Sequence, residues 1–416
     1  MKKQLGILFL LFGFQILQAQ NPITVQQCEA LFLKNNLVLL AEHYNIDAAK
    51  ALTIQARIWD NPTFSADINL YNPERQKYFD VGKQGAKDFG INQIIYLGGK
   101  KAKEVNLAKK NEQIAELEFS DLLRTLKFQL RKSFFTVFYN SKNIETTDSQ
   151  LGHIEKLIKS YSQQVEKGNL PLKDLVRLQS LYLDFKNERL EAINANYEEQ
   201  ANLKLLLNDA SKIIPIVSDT DFDKYNKEQL FDVQSLQEKA SLLRPDYLVK
   251  QKEIEANELN IKFQRSLAIP DANVGLSYSQ RGSAFNNQKN INLSIPLPLW
   301  NKNKGNIAAA KVTWEQSKID QQSATIGLQT EIFSILNKWT ESRKSYSQIQ
   351  LTSPEAFNQV YQSMLANFQK SNISILDFTD FMESYNQSSI LLNELKKKVV
   401  LSAEELNATT NTELFK

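Results

Sequence analysis

The sequence is poor in the residues that build disulfide frameworks and metal centres. Its 416 residues include one cysteine, two histidines and three methionines. The single Cys28 cannot form an internal disulfide. Lipid attachment to Cys28 is one reading, but the preceding Val25, Gln26 and Gln27 lack the small residues that such processing requires, so we expect Cys28 in the core. With so few imidazole and sulfur ligands, we expect no resident metal and no cofactor.

Charge of one sign is not in excess either. The 50 basic and 47 acidic residues nearly balance, whereas nucleic-acid binding requires a clustered basic face. We therefore expect no nucleic-acid partner. No Ser-His or Cys-His pairing has support in the sequence, and Gly98 and Gly99 lack the lysine spacing of a phosphate loop. The chain is accordingly predicted to have no catalytic site and not to be an enzyme.

Long apolar runs are absent except at the N-terminus. Lys2 and Lys3 precede an apolar stretch, Leu5 to Leu17, and Ala19 is a small residue suited to cleavage. The stretch is too short for a stable membrane-spanning helix. Residues 1–19 are therefore predicted to be a signal peptide, and the mature chain is exported.

Glycine and proline are scarce, at 13 and 10, and helix-forming polar residues are abundant. This composition predicts long helices. We expect helices over residues 100–167, 171–208, 301–370 and 374–407, with turns between the members of each pair. Apolar residues at positions such as Leu122, Leu126, Leu130 and Phe134 form a seam, which is typical of coiled-coil packing.

The chain repeats itself once. Thr24 to Asn72 aligns with Asp232 to Gln280, and the turn residues 167–170 align with residues 370–373. We therefore divide the mature chain into repeat 1 (residues 20–208), a connector (residues 209–232) and repeat 2 (residues 233–416). Each repeat is predicted to open with one helix, Val25 to Trp59 in the first and Val233 to Leu267 in the second.

After each opening helix, the spacing of apolar residues changes to every second residue. Strands are predicted at about residues 62–70 and 88–96 in repeat 1, and at about 271–279 and 290–298 in repeat 2. Each has one apolar and one polar side and is long enough to cross a bilayer when tilted. Four strands cannot close a barrel, and lipid does not tolerate an open edge, so such a chain must oligomerise. An ordinary soluble sheet with one buried face is the alternative reading of the alternation. A soluble coiled-coil scaffold, which needs no strands of membrane length, is an alternative for the chain.

Three motifs carry a resemblance to a known family. They are Leu97-Gly98-Gly99-Lys100, the turn Lys167-Gly168-Asn169-Leu170 followed by Asp174, and the stretch from Pro296 to Gly305. In this order and spacing the sequence resembles the TolC-like outer-membrane efflux channels over its whole mature length. The resemblance implies a mainly α fold with a small β part. It also implies a homotrimer, which forms a twelve-stranded barrel in outer-membrane lipid and an α-helical tunnel in the periplasm.

The same resemblance implies the partners and the cargo. A periplasmic adaptor would join the channel to an inner-membrane pump of the resistance-nodulation-division type. The two strand-to-helix junctions look most like the cobalt-zinc-cadmium and copper-silver branch, so heavy-metal cations are the expected cargo. A drug or type I secretion exit channel of the same fold is the first alternative. A periplasmic adaptor is an alternative of another class, although it would carry one helical hairpin and not two.

The resemblance also suggests site residues. Asp377 and Asp380 match the family's paired aspartates at the periplasmic mouth and are expected to form its gate, with Arg177 as a charge partner. Where some relatives lock the mouth with Tyr and Arg, this chain has Phe368 and Ile373. The adaptor-docking tips are expected to consist of six turn residues: Gly168, Asn169, Leu170, Ser371, Asn372 and Ile373. Ordinary helix-capping chemistry favours the same residue types at these positions.

Overall fold

The computed structural model describes residues 22–282, 284–349 and 354–416, and the predicted signal peptide lies outside these ranges. Within them the chain is mainly helical, with one four-stranded antiparallel sheet and two small two-stranded pairings. This agrees with the mainly α fold with a small β part that the sequence predicted.

The first repeat contains a strand hairpin between short and long helices. Its elements in chain order are β1 (Pro22–Ile23), α1 (Val25–Asn35), α2 (Leu37–Arg57), β2 (Thr63–Ile68), β3 (Tyr71–Asn72), β4 (Lys77–Tyr78), β5 (Ala86–Ile95), α3 (Lys100–Glu166) and α4 (Leu172–Leu207). The 67 residues of α3 extend about 100 Å at about 1.5 Å per residue.

The connector has structure of its own, because β6 (Ile214–Pro215) pairs in parallel with β1 and is followed by α5 (Asp219–Asn226). The second repeat then follows the plan of the first. Its elements are α6 (Val233–Leu243), α7 (Pro245–Leu267), β7 (Ala272–Arg281), β8 (Phe285–Ser294), α8 (Lys304–Ile349), α9 (Pro354–Gln369) and α10 (Ile375–Thr410).

The helix predicted to open each repeat is in fact two helices, broken at equivalent positions. In the first repeat Asn36 caps α2, accepting the Leu39 N–H at 2.9 Å and donating to the Leu206 carbonyl at 2.8 Å. In the second repeat Pro245 has no N–H and disfavours helical geometry at Arg244. Within the predicted helix 301–370 the structure describes α8 and α9, and residues 350–353 between them lie outside the described ranges.

The four main strands form one sheet in the order β2-β5-β7-β8, with β2 and β8 at its edges. The largest boundary difference concerns β8, which was predicted over residues 290–298. It starts at Phe285, which pairs with Arg281, and it ends at Ser294. Pro296 and Pro298 lie just beyond and cannot donate ladder hydrogen bonds, so pairing stops before them.

The helices pack in two arrays below the sheet. In the half next to the sheet, α2, α3, α7 and α8 lie side by side in that order. In the other half the order is α4, α3, α10 and α8. The edges of the helical body are therefore α8 on one side, and α2 and α4 on the other.

Buried apolar side chains form two separate clusters. The larger, which we call the equatorial core, includes Phe134, Tyr225, Trp339 and Phe415. The smaller, which we call the tip cluster, lies near the hairpin turns and draws residues from α3, α4, α9 and α10, namely Leu151, Ile154, Leu157, Leu178, Leu181, Phe185, Tyr361, Leu365, Phe368, Phe378 and Met382. Cys28 is fully buried in the equatorial core, as predicted, and this burial raises its pKa to about 12.

Candidate functional site

The first hairpin turn, between α3 and α4, is a Schellman motif. Gly168 has a φ of +75°, and its N–H donates to the Val165 carbonyl at 2.9 Å. The Asn169 N–H donates to the Gln164 carbonyl at 2.9 Å. These two bonds satisfy two of the last carbonyls of α3, and glycine suits the left-handed position because it has no Cβ.

Ser371 occupies the equivalent left-handed position in the second turn, with a φ of +60°. The Ser371 N–H donates to the Phe368 carbonyl at 3.0 Å, and the Asn372 N–H to the Asn367 carbonyl at 2.9 Å. A residue with a Cβ costs about 1–2 kcal/mol in this region. The hairpin therefore keeps the same main-chain geometry despite a less favourable residue.

The six predicted docking residues lie together at these two turns. Gly168, Asn169, Ser371 and Asn372 are exposed, whereas the two apolar members, Leu170 and Ile373, are half-buried. Ile373 packs against the tip cluster. The turns thus combine polar groups open to contact with apolar groups anchored beneath them.

Asp377 and Asp380 lie in the first turns of α10, and both are exposed. Asp377 also takes part in the helix cap: its N–H donates to the Ser374 hydroxyl at 3.1 Å, and that hydroxyl lies 2.7 Å from Asp377 Oδ2. A carboxylate is favourable at this end of a helix. Asp380 has no hydrogen bond or ion pair within the described ranges, so its carboxylate is free to act outside the chain.

Arg177 lies exposed in the second turn of α4 and pairs with neither aspartate within the chain. A contact between Arg177 and Asp377 or Asp380 would therefore have to join two copies. The sequence predicted that these three residues lie at the same end of the helices, but not whether Arg177 contacts either aspartate within one chain.

The tips are held together by packed aromatic rings. Phe368 is buried and stacks on Phe378 with ring centroids 4.0 Å apart, and on Tyr161 at 5.5 Å. These contacts join α9 to α10 and α3. Because a phenyl ring has no hydroxyl, Phe368 secures the tip by packing and not by hydrogen bonding.

His153, which the sequence did not single out, links the two hairpins. Its Nδ1 lies 2.6 Å from the Tyr361 hydroxyl. Burial, with a smaller contribution from Lys156, lowers the pKa of His153. The link joins α3 to α9 just above the turns.

The sheet has one apolar and one polar face. Phe64 pairs with Ile91, Ile91 with Leu276, and Leu276 with Ile291, so one apolar row crosses all four strands. These four side chains are between 48% and 79% exposed. A contiguous exposed apolar band of this kind marks contact with a membrane or another protein.

The next row along the strands, on the opposite face, is polar. Ser65 pairs with Gly90, Gly90 with Ser277, and Ser277 with Asn290. Asn292, on the same face, donates to Ser277 Oγ at 3.0 Å. In these two rows the alternation predicted from the sequence crosses all four strands, whereas further along β5 Gln93 lies on the apolar face and Ile94 on the polar face.

Two edge helices expose apolar residues at seven-residue spacing. Each of these side chains is at least 49% exposed: Val176, Leu183, Leu190 and Tyr197 on α4, and Val312, Ile319, Ile326 and Phe333 on α8. A seven-residue repeat is the spacing by which helices pack in coiled coils. We call these two rows the α4 seam and the α8 seam.

Among the described residues, the helices are all too short or too polar to cross a membrane. In the same ranges, no three His, Cys, Asp or Glu side chains are grouped to hold a metal ion.

Comparison with known proteins gives a consistent set of relatives. Residues 236–412 match the family model described as outer membrane efflux protein. The chain is 21% identical over 375 residues to the cobalt-zinc-cadmium resistance protein CzcC of Cupriavidus metallidurans, covering 90% of this chain and 86% of the relative.

Solved structures share the fold over nearly the whole chain. CusC, studied for conformational changes accompanying folding and transmembrane channel formation, aligns with a TM-score of 0.74 at 17% identity, covering 93% of this chain and 91% of CusC. The outer membrane channel CmeC of Campylobacter jejuni gives 0.75 at 14% identity, with 94% and 86% covered. The outer membrane protein VceC of Vibrio cholerae gives 0.72 at 16%, with 93% and 96% covered.

Proposed function

The chain belongs to the outer membrane efflux protein family, the non-enzymatic outer-membrane channels of tripartite pumps, and we propose that three copies of it form one heavy-metal exit duct. The helices lie in the periplasm. The observation that carries the proposed assembly is the four-stranded sheet with an apolar face and two unpaired edges. Pairing β8 of one copy with β2 of the next closes twelve strands and leaves no edge in lipid.

The helical edges support the same assembly. The α8 seam lies on the β8 side of the chain, and α2 and the α4 seam lie on the β2 side. A contact between the two sides is heterologous, and such a contact gives a ring when its rotation closes. The seams would then pack between copies as the helical wall of the tunnel.

The periplasmic end would meet the partners. We place the docking of a periplasmic adaptor at the six turn residues, because their polar groups are exposed on two hairpin turns of matching geometry. The adaptor would connect the channel to an inner-membrane pump of the resistance-nodulation-division type. Family membership sets aside the periplasmic-adaptor and coiled-coil-scaffold alternatives for the chain itself.

The mouth would favour cations. Three copies of Asp377 and Asp380 would surround one axis with six carboxylates, and rings of acidic side chains select cations in other pores. Arg177 of one copy would pair with an aspartate of its neighbour and hold the mouth narrow. The similarity to a cobalt-zinc-cadmium resistance protein supports heavy-metal cations as the cargo.

A susceptibility panel on a strain lacking the gene tests this proposal. We expect sensitivity to zinc, cobalt or cadmium, restored by the wild-type gene and less well by Asp380→Asn. Asp320→Asn, which alters an exposed acidic residue on α8 away from the mouth, is the matched control and should restore resistance fully. Sensitivity to dyes, bile salts or secreted toxins with normal metal tolerance would reject the metal cargo and favour the drug or type I secretion channel.

A further inference from the structure

Buried polar side chains separate the equatorial core from the tip cluster. On α3, Tyr139 is the last member of the equatorial core and Leu151 the first buried member of the tip cluster. Between them, the buried residues are Asn140, Asn143, Thr147 and Gln150, all at most 7% exposed. Spacings of three and four residues place them on one face of the helix.

The same level is polar on the neighbouring helices. Asn393 of α10 donates to Asn143 Oδ1 at 2.8 Å, and Asn143 donates to Glu394 Oε1 at 3.3 Å. Asn386 of α10 is fully buried and donates to Glu188 of α4. We call Asn140, Asn143, Thr147, Gln150, Asn386 and Asn393 the polar layer.

The polar layer is incompletely hydrogen-bonded. Gln150 is 1% exposed, and within the described ranges neither its amide nitrogen nor its amide oxygen has a partner. Asn386 Oδ1 is also unpartnered there. Burying a polar group without a partner lowers stability. Because these atoms are sealed by the chain's own helices, the contacts made in an assembly would not reach them.

A buried glutamine in the equatorial core shows the contrast. Gln200 of α4 donates to the Ile213 carbonyl at 2.5 Å and accepts from the Ile213 N–H at 3.2 Å. Both polar atoms of Gln200 thus have a partner, whereas neither polar atom of Gln150 has one within the described ranges.

We propose that the polar layer is a mechanical joint that divides the helical body into two cooperative units. Among the described residues, buried apolar packing is continuous within each cluster and interrupted between them. Segments with fewer favourable buried contacts open at lower free energy. The tip unit therefore moves while the equatorial core stays packed. The inference rests on the proposed function in one respect, because it is in the assembled channel that movement of the tip unit widens the periplasmic mouth.

Hydrogen exchange on the full-length protein tests the joint directly. We expect backbone amides around Ile154 and Phe378 to exchange at least about tenfold faster than those around Phe134 and Val400 under the same conditions, a difference of about 1.4 kcal/mol. Equal exchange rates in the two units would overturn the proposal, whether or not the protein exports metals.

A pair of matched variants tests the cause. Gln150→Met keeps the length of the side chain and removes its unpaired polar atoms, so it should slow exchange of the tip amides about tenfold. Gln200→Met makes the same change at a satisfied site and should accelerate exchange in the equatorial core. If Gln150→Met leaves the tip unchanged or accelerates its exchange, the joint is not set by the polar layer.

The mechanical role has its own readout. In planar bilayers, Gln150→Met should open less often than wild type while keeping the same open conductance. If Gln150→Met slows exchange of the tip amides but opens as often as wild type, the proposed link between the joint and the mouth is wrong. The channel assignment would remain intact. Absence of any conductance from the wild-type protein would instead contradict the proposed function.

Discussion

Arginine placed on the apolar face of the sheet provides the sharpest test of its contact with lipid. Ile291 and Asn290 are neighbours on β8, and their side chains point to opposite faces. Ile291 pairs with Leu276 in the apolar row, and Asn290 pairs with Ser277 in the polar row. Both side chains are exposed in the chain, Ile291 by 79%. The two substitutions therefore differ mainly in the face that receives the charge.

The expected cost follows from the position of the row. Leu276, which pairs with Ile291, lies near the middle of β7, and Ile91 of the same row lies near the middle of β5, so the row would sit near the centre of the bilayer. Arginine on the lipid side at that depth costs about 2–4 kcal/mol per chain, and three chains multiply this cost in a trimer. Asn290→Arg would place its charge in the water-filled lumen, where the cost is small.

Heat-modifiable migration of the trimer from outer-membrane fractions measures the outcome. We expect Ile291→Arg to reduce the trimer strongly and Asn290→Arg to leave it near wild-type abundance. Equal trimer yield for both variants would refute the assignment of the apolar row to lipid, as would greater loss with Asn290→Arg.

Three further predictions concern the helical body. Ser371→Gly should raise the free energy of unfolding by about 1 kcal/mol, because glycine removes the strain of the left-handed position. Phe415→Ala should lower it by about 3–5 kcal/mol, because Phe415 is buried with its ring centroid 5.1 Å from that of Trp339. Thermal melting followed by circular dichroism checks both changes. The folded-state pKa of His153 is lowered, so the unfolded state binds its proton first and stability should fall as the pH drops below about 6.5. His153→Gln should remove that part of the pH dependence, and a melt at pH 5.5 that is unchanged by this variant would contradict it.

Prediction from the sequence was most accurate for elements in which no second pattern conflicts with the first. Alternation over residues 271–279 predicted a strand close to β7, and the absence of proline over residues 100–167 predicted α3 almost to its last residue. In both cases local propensity and burial favour the same structure. The strand β8 was placed less well because its apolar alternation continues past Ser294 into Pro296 and Pro298, where pairing stops.

The helix breaks at Asn36 and Arg244 were not predicted, because the periodicity of apolar residues runs through them. The apolar period continues through Asn36 and Arg244, because the helices on either side of each break contribute residues to the same equatorial core. Asn36 as a capping residue and Pro245 after Arg244 are signals that the sequence does contain. The apolar pattern outweighed these two signals in the prediction, although it indicates which residues are buried and not whether the helix is continuous.

The candidate site was predictable in its positions but not in its contacts. Gly168 and Ser371 were predicted as turn residues from composition and repeat alignment. That Asp377 shares its carboxylate with the Ser374 cap, and that Asp380 has no partner among the described residues, depends on side-chain directions that no spacing rule supplies. The α4 and α8 seams were also readable as heptads, but only the packing of the chain shows that they are left uncovered.

The alignment of the two repeats supports the proposed pairing of Arg177 with Asp380. In the alignment that pairs Asp174 with Asp377, Arg177 of α4 corresponds to Asp380 of α10. Equivalent positions in the two hairpins lie at the same height, since both hairpins begin from the same turn geometry. The first hairpin then contributes one acid and one base at the mouth, and the second contributes two acids. In a ring that alternates these hairpins, each Arg177 would lie at the level of Asp380, so Arg177 and the metal ions would compete for the same carboxylates.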